Sequence, residues 1–242
     1  MEQQVKPYDG EGGKKEQVSR MFDNIAPYYD FLNHFLSLGI DTLWRKRAIA
    51  QLKDANARLI LDVATGTGDL AIEMVKRLSP ERIVGVDISE EMLAVGREKI
   101  RKKGMDGSIA LQKGDSENLS FADNSFDAVT AAFGVRNFES LEKGLTEMRR
   151  VLRPGGTLVV LEFSRPGAFP FKQLFNFYFK NILPFIGRFT SKDPKAYSYL
   201  YESVQAFPDG DDFLNILEKT EYKSTKCIPL SLGICSIYIG KK

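Results

Sequence analysis

The 242-residue chain has little of what marks several protein classes. It has two cysteines, one histidine and one tryptophan, and its 34 basic and 32 acidic residues leave a formal charge of +2. The near balance of charge excludes the electrostatic footprint of a nucleic-acid binder, so no nucleic-acid partner is expected. Cys227 and Cys235 lie eight residues apart in an apolar, β-rich tail with no accompanying histidine pattern, which fits neither a metal site nor a redox pair. Both read as buried reduced thiols. No apolar run approaches the ~20 residues that span a bilayer. The opening "MEQQVKPYDGEGGKKEQ" has no apolar stretch behind its charges, so the expected location is cytoplasmic.

What is present is an alternation of strand and helix signals from Arg58 to Phe163. The runs "RLILDVAT", "RIVGVDI", "SIALQKG", "FDAVTAAF" and "GTLVVLEF" read as strands, with helices starting near Asp69, Glu90 and Glu139. "RVLRPGG" ends the third helix with Pro154 and two glycines. A helix over Asp209 to Thr220 and two last strands, "YKSTKCIPL" and "ICSIYIG", joined by a short hairpin, complete a seven-stranded α/β sheet. It is mostly parallel, helices cover both faces, and the last strand is antiparallel. One domain is expected over residues 17–242, after a loose polar tail of residues 1–16. Two segments decorate it: a helical cover over 17–53, interrupted at Pro27 and Gly39, and an aromatic-rich insertion over 166–208.

"LDVATGTGDLA" follows the first strand. Gly66, Gly68 and Ala71 match the turn in which a backbone approaches a bound nucleotide, and Asp87 ends the second strand where an acid grips ribose hydroxyls. That pattern also fits a nicotinamide dinucleotide. Asp62, four residues before Gly66, weighs against one, because a carboxylate beside a pyrophosphate is repulsive whereas beside an amino-acid ammonium it attracts. S-adenosylmethionine carries that ammonium on an adenosine. Asp115, just after the third strand, is placed to accept from an adenine amino group, with the Ser116 amide available to a ring nitrogen. Each aspartate taken alone also reads as a helix cap or turn former.

These motifs, together with "VGVDISEEML", "GDSENLSF", "NSFDAVTAAFGVRN", "EMRRVLRPGGTLVVLEFSRP", "MFDNIAPYYDFLN", "WRKRAI" and "YSYLYESVQAFP", resemble the ubiquinone and menaquinone biosynthesis C-methyltransferases of the class I, Rossmann-like S-adenosylmethionine-dependent group. The resemblance runs from about Val18 over nearly the whole chain. It implies that Thr67, Asp87, Asp115 and Ser116 contact the cofactor, and that the reaction is C-methylation of a polyprenyl hydroquinone, with demethylmenaquinol preferred to the ubiquinone precursor. Two departures stand out: Thr65 where relatives often have a second glycine, and "GDS" where they often read Asn-Ala. By the same resemblance, Tyr28, Tyr29 and Asp30 belong to a segment that covers the cofactor.

Arg136 and Asn137, just past the fourth strand, are the candidate catalytic pair. A guanidinium there would stabilise developing quinolate charge, and Asn137 would orient a hydroxyl. The structural alternative is that Arg136 pairs with an acid and Asn137 caps the next helix. His34 reads as a structural or exposed histidine. From Phe169 to Tyr201, 11 of 33 residues are aromatic, interleaved with Lys172, Lys180, Arg188, Lys192 and Lys195. The segment reads as a small core of its own and as an apolar channel or lid for a prenyl tail, with peripheral contact at the inner face of the membrane. A homodimer is left open, as are methylation of another lipid and a cofactor-binding scaffold without turnover.

Overall fold

A computed structural model of the chain describes residues 5–37, 39–167, 169–178, 181 and 195–242. Five strands run parallel: β1 (Leu59–Val63), β2 (Arg82–Asp87), β3 (Ile109–Lys113), β4 (Phe126–Ala132) and β5 (Leu152–Phe163). They join β6 (Lys223–Leu230) and β7 (Cys235–Lys241) in one seven-stranded sheet of order β3-β2-β1-β4-β5-β7-β6. β7 is antiparallel to both of its neighbours, as the hairpin signal predicts. The chain builds outward from β1 to β3 and then returns to place β4 on the other side of β1. The crevice for a ligand therefore opens at the carboxyl ends of β1 and β4.

The alternation of side chains along these strands feeds two apolar layers. Ile60, Ile83, Ala128 and Val159 face one layer, with Trp44 and Ile49 of α2 (Ile40–Ala50) and Met74 of α3 (Asp69–Leu78). Leu61, Val63, Val129 and Val160 face the other, with Met148 of α5 (Leu141–Val151) and with Phe213 and Leu217, which belong to the helix after the insertion. α4 (Glu90–Lys102) follows β2, and the Ser89 hydroxyl caps it by accepting from the Met92 amide at 3.2 Å. α5 begins two residues later than Glu139, because Ser140 is its cap and accepts from the Lys143 amide.

The N-terminal cover departs from expectation at both ends of its first helix. α1 (Lys14–Leu36) starts inside the segment read as a loose tail and runs through Pro27. Tertiary bonds hold it on either side of the proline. Asp23 accepts from the Ser89 hydroxyl at 2.6 Å, and Asp30 accepts from the Thr67 hydroxyl and the Lys99 ammonium, each at 2.5 Å. The tail itself is tied back, with the Tyr8 amide donating to Gln17 Oε1 at 3.0 Å. The break at Gly39 is present, its φ of 77° lying in the left-handed region that favours glycine.

In the insertion, α6 (Phe171–Phe177) and α7 (Lys195–Ala206) pack Phe175 on Val204, joined by Phe163 and Ile234 from the sheet ends. This is a small core continuous with the domain. Lys180, Arg188 and Lys192 lie outside the described residues. α8 (Asp211–Lys219) then returns the chain to the edge strands. Cys235 is buried as expected, but Cys227 is only half-buried, because edge strand β6 leaves one flank open. Among the described residues no helix is long and apolar enough to cross a membrane.

Candidate active site

The turn after β1 is built on left-handed backbone. Ala64, Gly66 and Gly68 have φ of 53°, 56° and 78°. The Gly68 amide closes the turn on the Thr65 carbonyl at 2.9 Å, and the Thr65 amide reaches Val86 in β2 at 3.0 Å. Asp87 then ties the two strand ends together, one oxygen accepting from the Gly66 amide at 2.8 Å and the other from the Ser89 amide at 2.9 Å. Burial raises its pKa against the opposing pull of these donors. The turn after β4 approaches closely: a Cβ on Gly134 would stand 2.4 Å from the Ala64 Cβ, so only glycine fits there.

Between these turns lies a cleft of about 640 Å3. Gly66, Asp87, Asp115 and Ser116 line one end, with Ile88 and Met92 as apolar walls; Phe133 and Asn137 line the other. α1 roofs it with Val18, Phe22 and Tyr29. The Asp115 carboxylate, about one-third exposed at this rim, accepts from Lys15 Nζ at 2.8 Å and from the Glu117 amide at 2.9 Å, and these partners outweigh desolvation to hold its pKa below the usual carboxylate range.

A smaller chamber of about 340 Å3 adjoins the glycine turn, and Asp62, Thr67, Arg45 and Tyr29 line it. Asp62 is almost wholly buried and accepts from the hydroxyls of Thr65 at 2.6 Å and Thr130 at 2.7 Å. Burial nevertheless pushes its pKa up to about 6. Thr67 faces this chamber rather than the cleft, and its hydroxyl is engaged by Asp30 and Lys99. Gly68 shapes the turn and lines neither space. Arg45, from the tract "WRKRAI", pairs with buried Asp41 and stands 3.9 Å from Asp69. Its guanidinium thus shares the chamber with two carboxylates, Asp62 and Asp69.

In the turn beside Asn137, Arg136 is not a free cation. Its guanidinium donates to the Phe133 carbonyl and, at 2.7 Å, to Glu162, which is wholly buried in β5. The Phe163 ring lies 5.5 Å away. The structural alternative for Arg136 is thus realised, yet its Nε is buried with no partner among the described residues. Asn137 sits in the single turn Val135–Asn137 and does not cap α5. It is 8% exposed, lines the cleft, and its Oδ1 also lacks a partner. Behind this turn the buried Lys14 ammonium donates to the carbonyls of Arg136 (3.0 Å) and Phe138 (2.8 Å), its pKa lowered to about 8 chiefly by burial. Tyr29, on α1, is partly buried, and desolvation pushes its phenol up to about 12. His34 lies outside both spaces, with Nδ1 2.8 Å from Asp41.

The structure brings Gly66, Asp87, Asp115, Ser116 and Asn137 to one cleft, sets Asp62 and Thr67 in the adjoining chamber, and places Arg136 at the turn beside Asn137. Sequence reasoning missed Arg45, Glu162 and Lys14. Glu162 had a signal: an acid inside the otherwise apolar strand "TLVVLEF" demands a buried partner.

A doubly wound sheet with a glycine turn and strand-end acids defines an α/β protein of the class that binds a nucleoside cofactor at its switch point. Comparison with known proteins narrows the class. The family model for the ubiE/COQ5 methyltransferase family matches residues 11–242, and the chain belongs to that family. It is 51% identical over 241 residues to the demethylmenaquinone methyltransferase of Bacteroides fragilis, covering 100% of this chain and 98% of that one. It is 47% identical to the ubiquinone/menaquinone biosynthesis C-methyltransferase of Geotalea daltonii, covering 95% and 97%. Among solved structures, phosphoethanolamine N-methyltransferase 2 of Haemonchus contortus, in complex with S-adenosyl-L-methionine, shares the fold at a TM-score of 0.67 and 15% identity, over 96% of this chain and 60% of that one.

Proposed function

We propose that this chain is an S-adenosylmethionine-dependent C-methyltransferase that converts demethylmenaquinol to menaquinol. The observation that carries the substrate is the full-length similarity to a relative of that name. The structure supports the cofactor, because the cleft and its side chamber offer a partner to each part of that molecule. In the chamber, Asp62 would hold the ammonium and Arg45 the carboxylate of the amino-acid end. In the cleft, Asp87 would hold the ribose hydroxyls, and Asp115 with the Ser116 amide the base edge, between Ile88 and Met92. The Gly66 and Gly68 turn lets the backbone come close; Thr67 acts by clasping the roof helix through Asp30.

When bound, the cofactor supplies an electrophilic methyl group on a sulfonium. The chain must bring a hydroquinone ring carbon to it and favour the ionised form of the neighbouring hydroxyl, whose ordinary pKa is near that of tyrosine, about 10. Arg136, held by Glu162, sets positive charge at the far end of the cleft, and Asn137 Oδ1 accepts from a substrate hydroxyl. The ring C–H becomes C–CH3, one proton is released to solvent, and S-adenosylhomocysteine is the second product.

A prenylated acceptor also needs an apolar approach. Leu43 of α2 is 51% exposed, and Phe169 and Phe177 of the insertion are 81% and 59% exposed. These side chains are suited to peripheral contact with a membrane surface, which flotation with anionic vesicles tests. Sedimentation of the same preparation separates a monomer from a homodimer.

The decisive experiment is methyl transfer from labelled S-adenosylmethionine to a reduced short-tail demethylmenaquinol, beside the reduced ubiquinone precursor and both oxidised quinones. Product from the naphthoquinol alone is expected. Product from both quinols would support the broader reading that the name of the Geotalea relative suggests. Cofactor binding without product from either would overturn the quinol reading.

A further inference from the structure

We propose that Tyr199, in the aromatic-rich insertion, is a substrate-binding residue: its phenol donates a hydrogen bond to the hydroquinone oxygen on which negative charge develops during methyl transfer. The assignment rests on the hydroquinone reading above and adds a residue to it. Tyr199 lies on α7, which packs on the Val135–Asn137 turn, and its ring is buried to 2% exposure beside Val18 and Met21 of the roof helix. It thus joins the insertion, the cover and the turn after β4 at one point.

The hydroxyl of Tyr199 has no partner among the described residues. Arg136 Nε and Asn137 Oδ1 are in the same condition. An unpaired polar atom in a protein interior costs free energy, and native structures leave few of them. These three, the Tyr199 hydroxyl on α7 and two atoms of the turn that α7 packs against, form a complementary set: one donor, one acceptor and one hydroxyl able to do either. In the proposed complex a single hydroquinone hydroxyl meets all three. Its proton goes to Asn137 Oδ1, and its oxygen accepts from Tyr199 and Arg136 Nε.

The chemistry selects a donor role over a base. Burial raises the Tyr199 phenol well above its ordinary value, and the nearby Glu162 charge adds to the rise while Arg136 opposes it. The phenol therefore stays neutral and can give a hydrogen bond throughout the reaction, stronger as the substrate oxygen gains charge. Tyr29, on α1, lines both the cleft and the adjoining chamber.

The test is Tyr199→Phe in the full chain, with reduced short-tail demethylmenaquinol. A fall in kcat/KM of about 100-fold is expected, the size seen when one donor to a developing oxyanion is removed. Cofactor affinity by calorimetry should stay within about twofold. The thermal midpoint should hold or rise, because the variant deletes a hydroxyl that is unpaired in the free protein. Incorporation of 3,5-difluorotyrosine at position 199, a stronger donor of similar shape, should restore turnover and shift its pH profile. Turnover within about twofold of the parent would overturn the assignment. So would a loss of activity accompanied by a lower midpoint and weaker cofactor binding, which marks a packing role. If the parent chain itself methylates no quinol, the hydroquinone reading fails and this assignment fails with it; a working parent with an unaffected variant sinks only Tyr199.

Discussion

The two ends of the cleft differ in how their polar groups are satisfied. At the glycine-turn end the three strand-end acids already have partners: Asp87 holds two backbone amides, Asp62 two threonine hydroxyls, and Asp115 a lysine and an amide. Around the Arg136 turn three buried polar atoms, on Arg136, Asn137 and Tyr199, have none among the described residues. The first arrangement is preorganised, so a ligand there exchanges or adds to bonds without rebuilding the turn. The second keeps its donors and acceptors unpaired until a polar atom of the acceptor arrives. Such a difference suits a cofactor site that must hold its shape and an acceptor site whose bonds are made only with substrate in place.

The comparison breaks most sharply at Arg136. Arg136→Ala leaves Glu162 charged and wholly buried without a counterion, and should cost about 3–5 kcal/mol of stability by denaturant unfolding, with quinol turnover lost. The double variant Arg136→Met, Glu162→Gln should recover most of that stability but not the turnover. If it recovered both, the pair would be structural and the charge at that end of the cleft irrelevant to the chemistry.

A second effect belongs to the cofactor end alone. The Asp62 carboxyl titrates at about 6 in the free protein, and an ammonium beside it would favour the ionised form. Cofactor affinity should therefore weaken as the pH falls below about 6, by up to about tenfold per unit, measurable by calorimetry from pH 5 to 8. Asp62→Asn should flatten that slope. The sign for stability is the reverse. A raised carboxyl favours the protonated fold, so the contribution of Asp62 is full below pH about 4, falls as the pH climbs to about 6, and is constant above. Asp87, also raised by burial, acts in the same direction.

The smallest effect is expected at the rim. Lys15 and Asp115 are each about one-third exposed, so Lys15→Ala should change cofactor affinity by less than about threefold, in a direction that reports whether Lys15 competes for Asp115 or helps close the roof. A larger loss would show that α1 is held shut mainly by charge.

Much of the fold was legible because each strand of a two-sided sheet must be apolar. "RLILDVAT" and "FDAVTAAF" announce themselves, and the glycines and acids at their ends mark the switch point. The cofactor end was legible for the same reason, since its residues lie within a few positions of strand ends. Helix α1 was not, because Pro27 signals a break that the bonds of Asp23 and Asp30 override. The acid that pairs with Arg136 has no local signature near it, because Glu162 is supplied by the next strand and becomes adjacent only when β4 and β5 pair. Tyr199 is one of 11 aromatics in its segment, and nothing local separates it from those that merely pack.

The sequence by itself determined the sheet, the glycine turn, the acids at three strand ends and the family to which they belong, because each is written in contiguous residues whose spacing follows the period of a strand or a helix. Only the tertiary structure decided which of those acids are already satisfied, that Arg136 carries a buried counterion, that Arg45 shares a chamber with Asp62, and that the Tyr199 hydroxyl, on the helix packed against the turn of Asn137, has no partner among the described residues. Those are relations between distant segments, and burial and hydrogen bonding, which give each its energy, exist only after the segments meet.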